Sequence, residues 1–383
     1  MPRPPNAVDF WRGFALITIF IDHVPGIVYS QLTLVNFSIS DAADLFVFLA
    51  GWSLRLMMTG RDGQMPTRNV VLRLVGRALE LYAAQVVITM LAIAMLAAIS
   101  IEARNPLLLE WHNAAAVFSD PVPTHIGLAV LTHQLGYFDI LPLYVVLMLM
   151  APVFAVIDRT APNLLLPASV AIYAIVLSFQ ITLPTWPVSG TWFFNPLAWQ
   201  LTFVLGFVLA RADSGAGAWA RRNIRILRLI ALPILIYVTL AIAFDWFWDP
   251  TSVPEPKLFF LIDKSYASPP RLIEFLSLVA VFSIAFPYIA KLGEQPFAGR
   301  PVRAIIGTLA LLGRNSLYVF CVGSLLSLAA QIVRFYYRGA FGIDTAVVAS
   351  GIIIMAFTAW LAESRLRARG APSSRSAERP SAR

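Results

Sequence analysis

The sequence predicts an all-α integral membrane protein of about ten transmembrane helices with both termini in the cytoplasm. Three observations carry that prediction. Of the 383 residues, 58% are hydrophobic and 13% charged, and the mean hydropathy is +0.73. A water-soluble chain of this length has no use for so much apolar surface. The excess falls into separate runs of about 18 residues or more, the length that crosses a bilayer core as a helix. The basic residues also crowd into alternate connections, as they do when cytoplasmic loops gather Lys and Arg.

The ten runs centre on Phe14–Val28, Asp41–Met58, Leu79–Ile99, Phe138–Ile157, Leu164–Leu183, Leu197–Ala210, Ile226–Phe247, Leu272–Ala290, Ser316–Val333 and Thr345–Leu366. The sixth is short, and Phe193 and Phe194 offer to extend it. A membrane β-barrel would show short alternating segments instead. With the N-terminus inside, 22 of the 29 basic residues fall on the cytoplasmic side and six outside, with Arg314 left at a break before the ninth run. The formal charge of +8 thus follows from topology, and nucleic acid is not needed as a partner. Residues 1–366 read as a single transmembrane domain, and 367–383, polar, basic and Pro/Ser-rich, as a disordered cytoplasmic tail against an anionic leaflet. No cleavable signal peptide is expected, because the first run lacks a small-residue cleavage site and contains Asp22 and His23. Cys321 is the single cysteine, so neither a disulfide framework nor a thiolate metal cluster is available. No internal repeat is evident, which counts against a transporter.

The first run holds the best functional clue. Arg12 and His23 are expensive in a membrane span. Eleven residues at about 100° each return the two side chains to within about 20° of one face, roughly 16 Å apart along the axis. Arg12 would lie near one membrane surface and His23 past the middle. Pro25-Gly26 breaks the helix just beyond, and such a break at membrane depth requires protein or a water-filled cavity around it. A buried histidine merely bonded to a neighbouring helix remains the alternative. A neutral imidazole in a polar cavity can take a proton from a hydroxyl.

Asp41 and Asp44 open the second run on one helix face. Capping by Ser40 or Asp41 accounts for one acid. Two acids plus Asn36 exceed what a cap needs, so Asp44, the deeper one, is the candidate to orient His23 or the acceptor. Asp22 and Asp139 are the other carboxylates able to fix the imidazole tautomer. Arg73 and Arg77, four apart at the inner end of the third run, can clamp phosphates from the cytoplasm or serve as positive-inside anchors, with Arg77 paired to Glu80. Gly313-Arg314-Asn315-Ser316 interrupts the helical pattern and is similarly ambiguous. Trp186, Trp192, Phe193, Phe194 and Trp199, with Trp246, Phe247 and Trp248, crowd the outer connections as an interfacial belt or as flat surfaces for a sugar. His112, His125 and His133 match no metal signature, and no metal site is expected. Phosphate-binding Gly-rich loops and hydrolase elbows are absent.

These residues resemble a known family. Asp9-Phe-Trp-Arg12-Gly13-Phe-Ala followed by His23 is similar to the opening of the acyltransferase-3 superfamily, marked by a basic residue, ten residues, then His. Asn36…Ser40-Asp41-Ala-Ala-Asp44-Leu-Phe-Val-Phe-Leu-Ala-Gly51 resembles its OpgC branch. So do Tyr137-Phe-Asp139-Ile-Leu-Pro142-Leu-Tyr144, Phe194-Asn195-Pro196-Leu-Ala-Trp199-Gln200 and Leu312-Gly313-Arg314-Asn-Ser316-Leu. The resemblance implies a ten-helix protein of the bacterial inner membrane that carries acyl groups from cytoplasmic acyl-CoA to acceptors beyond the membrane. In the OpgC branch the group is succinyl and the acceptor an osmoregulated periplasmic glucan. His23 would then be catalytic with Asp22 and Asp44 in support. Arg12, Arg73, Arg77 and Arg314 would bind the donor, and Asn36, Asp41, Asp139, Asn195, Gln200, Trp192 and Trp199 would lie on the acceptor side. Acyl-CoA would be a co-substrate, with no permanently bound cofactor. One departure is Leu81-Tyr82-Ala-Ala-Gln85, where OpgC relatives tend to carry His at the last position. A secondary transporter or exporter of a small anionic or sugar substrate is the rival reading and predicts flux without acyl-CoA. A non-catalytic partner protein would tolerate loss of His23.

Overall fold

The computed structural model describes residues 4–59, 65–247, 249–296 and 299–370. Fifteen α-helices follow in order: α1 Ala7–Asp22, α2 Ala42–Met58, α3 Thr67–Glu102, α4 Ala116–Ser119, α5 Pro121–Ala129, α6 Ile140–Thr160, α7 Pro162–Phe179, α8 Pro196–Leu209, α9 Gly215–Arg222, α10 Ile224–Phe244, α11 Pro269–Phe282, α12 Ala285–Gly293, α13 Gly299–Arg314, α14 Ser316–Tyr337 and α15 Phe341–Gly370. Among the described residues no β-strand occurs, only an isolated bridge between Pro184 and Thr191.

Each of the ten apolar runs coincides with a helix, but among the described residues seven helical stretches are long and apolar enough to cross a membrane. The chain is a multi-pass membrane protein on that ground. The first, second and sixth runs form helices of 16, 17 and 14 residues. The reason is local. Pro25-Gly26, with Gly26 at φ +71°, stops α1 at His23, and Asp41 caps α2. Asn195 caps α8 with Pro196 at its first turn, so Phe193 and Phe194 lie outside that helix rather than lengthening it. The eighth run bends between α11 and α12. The α3 helix, at about 1.5 Å per residue, extends well past a bilayer core of about 30 Å. The polar tail expected from residue 367 begins inside α15, where Arg367 pairs with Glu363 one turn back at 2.9 Å. Residues 371–383 and Trp248 lie outside the described residues.

Helix packing is organised around close backbone approaches. A Cβ on Gly13 would sit 1.9 Å from the Leu309 carbonyl oxygen, and one on Gly313 would sit 1.9 Å from that of Asp9. Those two glycines let α1 and α13 touch backbone to backbone. Gly51 and Gly206 do the same for α2 and α8, against the carbonyls of Phe203 and Phe48. Small residues at such crossings are how helices associate where lipid removes the hydrophobic drive. At one end of the α2–α8 crossing, Asp158 of α6 accepts from Arg55 at 2.6 and 2.7 Å and from Arg211 at 2.8 Å. The result surrounds α1 with α2, α13 and α14, which sets the positions of Arg12 and His23.

Candidate active site

Arg12 and His23 mark two cavities. Arg12, in the middle of α1, donates to Ser53 Oγ at 2.7 Å and to the Leu49 carbonyl at 3.2 Å, both on α2. It shares a cavity of about 660 Å³ with Arg73 and Arg77 of α3 and with Arg314, where α13 gives way to α14. The four arginines singled out in the sequence thus converge from three helices. Arg77 also pairs with Glu80 at 2.9 Å and Arg314 with Glu363 at 3.3 Å. Guanidinium groups gathered in a cavity suit phosphate oxygens, which they can meet with paired N–H donors.

His23 caps the other end of α1 and lines a cavity of about 500 Å³ with Asp22, Asp41, Tyr137, Asp139 and Lys264. Its ring stacks on Tyr137 with centroids 4.7 Å apart and planes 22° from parallel. Its carbonyl accepts from Gln331 Nε2 at 2.6 Å. Its Nδ1 is buried and has no hydrogen-bond partner. An orphaned buried ring nitrogen is uncommon and calls for an explanation in function or in a missing ligand.

The expected tautomer-setting carboxylates are placed otherwise. Asp22 accepts from Thr33 Oγ1 at 2.6 Å, and Asp139, though it lines the cavity, makes no bond to the ring. Asp44, the preferred orienter of His23, is committed elsewhere. Its oxygens take the Arg271 guanidinium at 2.5 and 3.2 Å and the Asp41 amide at 3.0 Å. Asp41 in turn accepts the Ala43 amide at 2.8 Å, so the two acids form a reciprocal capping box. Asp41 still reaches the cavity, holding Lys264 Nζ at 2.5 Å and Arg271 at 3.2 Å. Below these, Ser40 and Ser38 donate to Glu274, which ties the start of α2 to α11.

The acceptor-side residues divide as well. Asn36 is exposed and lines none of these cavities. Asn195 and Gln200 are fully buried and used within the fold: Asn195 caps α8 and donates to the Ile181 carbonyl, and Gln200 exchanges bonds with Ser169. Trp192 is packed into the core, and Trp199 donates to the Lys264 carbonyl at 3.0 Å. Trp199 therefore braces the loop that presents Lys264 instead of offering a sugar surface. The flat surfaces in the cavity include Phe193 and Phe194, whose rings lie 5.6 and 5.5 Å from Lys264 Nζ.

A third cavity of about 580 Å³ adjoins the second through Pro25, Gly136 and Tyr137, and adds His112, Arg334 and Arg338. Tyr137 stands between the two in a left-handed conformation, φ +65°, a strained geometry for a bulky residue. His112 Nε2 donates to Gln331 Oε1 at 2.9 Å, which links this cavity to the His23 carbonyl. The three histidines of the connection are dispersed: His125 bonds the Pro121 carbonyl and His133 that of Asn113. Among the described residues no cluster of three or more His, Cys, Asp or Glu side chains is placed to hold a metal ion. Burial lowers the pKa of both His112 and His133 below the ordinary histidine value, against the raising effect of their hydrogen bonds.

The family model described as OpgC protein matches residues 5–367. The chain belongs to the OpgC family. No curated protein and no solved structure matches it. Membership in the OpgC family, with several long apolar helices, points to a membrane acyltransferase-like protein. In the sequence Lys264 and Arg271 count only among the six outer basic residues, Gln331 carries no mark within the ninth run, and Tyr137 and Tyr144 stand only as parts of a motif. An ionisable or amide side chain next to an aromatic pair, as at Phe193-Phe194, gives no signal until the loops are folded together.

Proposed function

We propose that this OpgC-family chain is a membrane-embedded O-acyltransferase. It moves an acyl group, succinyl, from cytoplasmic acyl-CoA to a hydroxyl of a periplasmic glucan or another extracytoplasmic glycan, across the bacterial inner membrane. The observation that carries this reading is the position of His23. A ring with a buried, unpartnered nitrogen lies in a cavity walled by Phe320, and the same Phe320 walls the four-arginine cavity. In this topology ten segments cross the membrane, three of them as short helices. Residues 1–366 form the transmembrane domain, and the basic tail from 367 lies with the N-terminus in the cytoplasm. The 22-to-6 distribution of basic residues supports that orientation.

The chemistry then follows from the residues. Arg73, Arg77 and Arg314 hold the phosphates of the coenzyme, with Arg12 beside the arm that bears the thioester. A glycan hydroxyl enters on the opposite side, past Tyr137, where Asp22, Asp139 and Lys264 offer polar contacts. Neutral His23 takes the hydroxyl proton as the oxygen attacks the thioester carbonyl. The C–S bond breaks, an ester forms, and the imidazolium returns its proton to the departing thiolate. General-base help of this kind contributes about 10²–10⁴-fold, and orientation between two cavities supplies much of the remainder. The deciding experiment assays acyl transfer in membranes carrying His23→Ala. A loss of about 10²-fold or more at normal expression is expected, and full activity would refute the role. Mass spectrometry of periplasmic glucans from cells with and without the protein should show one added succinyl mass only with it. An unmodified glucan together with substrate flux would favour a transporter.

A further inference from the structure

Three aromatic side chains from three helices meet on the wall of the arginine cavity, and one of them, Phe320, also lines the His23 cavity. Phe46 of α2 lies against Tyr144 of α6 at 5.4 Å between centroids, and stacks on Phe320 of α14 at 6.2 Å and 24°. All three line the arginine cavity, and Phe320 alone also faces the His23 cavity. They are 7, 7 and 2% exposed. The Tyr144 hydroxyl is buried in this wall without a hydrogen-bond partner. A tyrosine buried in an apolar setting ordinarily finds a partner for its O–H. Phenylalanine would fill the same space with no orphaned donor, so the hydroxyl asks for an acceptor that the fold itself does not supply.

We propose that Phe46, Tyr144 and Phe320 form the throat through which the thioester arm of the donor passes, and that the Tyr144 hydroxyl donates a hydrogen bond to an amide carbonyl of that arm. The proposal rests on the acyl-CoA reading given above and adds to it the residues that admit and orient the arm. Phosphates anchored at Arg73, Arg77 and Arg314 leave a slender, flexible chain carrying two amides to cover the distance to His23. Aromatic faces suit its methylene and dimethyl segments, and one fixed O–H sets its depth, so that the thioester stops beside the imidazole. Tyr144 is thus a positioning residue. Phe320 decides whether the two cavities communicate. It belongs to the same helix that presents Gln331 to the His23 carbonyl, so a shift of α14 that opens the throat also moves a contact of His23.

The test uses the full chain in proteoliposomes with succinyl-CoA as donor and the periplasmic glucan as acceptor. Binding of adenosine 3′,5′-bisphosphate, which has phosphates but no arm, is the second readout. Tyr144→Phe should raise KM for succinyl-CoA about three- to tenfold, the loss of one neutral hydrogen bond, with kcat little changed. Phe320→Trp, which narrows the throat, should abolish most transfer. Both variants should bind the bisphosphate as the parent does, because the four arginines that meet its phosphates are unchanged. Unchanged kinetics in both variants would overturn the proposal, and so would loss of bisphosphate binding in parallel with transfer by folded protein, since that places the defect in phosphate binding and not in passage of the arm. If the parent chain itself transfers nothing from succinyl-CoA, the acyl-CoA reading falls and takes the throat with it; an active parent with indifferent variants removes the throat alone.

Discussion

Replacing Asp44 with Asn separates two roles that the sequence left open for this carboxylate. As a partner of His23 it would matter for transfer and little for folding. As the counter-ion of Arg271 it would matter for folding first. Asp44 is 2% exposed and Arg271 4%, and the guanidinium meets both Asp44 oxygens, at 2.5 and 3.2 Å. An Asn oxygen can still accept the Asp41 amide, so the capping box of α2 survives the substitution while the charge does not. Breaking a buried pair from one side costs about 3–5 kcal/mol, because the other charge remains without compensation. Here Arg271 keeps the Asp41 carboxylate at 3.2 Å and the Ile39 carbonyl, so the low end applies. The expected loss is about 3 kcal/mol, a factor on the order of 10² in the folded-to-unfolded ratio. Unfolding in detergent micelles titrated with SDS measures it, and transfer normalised to the folded fraction is the companion assay. Normalised transfer should stay near the parent value, since Asp44 makes no contact with the His23 ring. Unchanged stability with transfer down by 10² or more would refute this reasoning and return Asp44 to the histidine.

Three further outcomes follow from other parts of the molecule. Arg73→Ala should raise KM for acyl-CoA roughly fivefold, the size expected of one exposed, screened ionic contact, and the effect should shrink as salt is raised in a Michaelis assay. Gly51→Ala places a methyl 1.9 Å from the Phe203 carbonyl oxygen and forces α2 off α8, so thermal unfolding in detergent should register a loss of about 1–3 kcal/mol, whereas Gly76→Ala, with open space around it, should not. Burial depresses the pKa of His112 and His133, so these groups are neutral in the folded state and protonate more readily unfolded. Their contribution to stability is therefore full above about pH 6.5 and is lost as pH falls below that value towards their depressed folded pKa values. His112→Gln should flatten that part of a stability–pH profile, and an unaltered slope would exclude His112 as its source.

The sequence was informative wherever the cause is local. Hydropathy over about 18 residues finds a helix, and all ten apolar runs are helical. The Asp41–Asp44 spacing writes its own capping box, and Pro25-Gly26 ends α1 at His23. The relation of Arg12 to His23 is a property of one helix and needs no tertiary information. Seven rather than ten helices reach spanning length because the Pro25-Gly26 break and the caps at Asp41 and Asn195 shorten the helices they bound. The assignment of residues to the site was less legible. Asn195, Gln200 and Trp199 belong to motifs, yet their polar atoms are consumed by the fold.

What the residues alone determined is therefore the class of molecule, the apolar segments that become helices, and a cation and an imidazole set apart on one helix. Tertiary structure alone decided which acids keep company with His23, that four arginines from three helices share one cavity, and that Phe320 lines both that cavity and the next. Arg271 and Asp44 stand 227 positions apart, and Gln331 meets His23 across 308. Such partners are chosen by helix crossing and rotation, which depend on backbone contact at Gly13, Gly51, Gly206 and Gly313. No periodicity within a single segment records that choice.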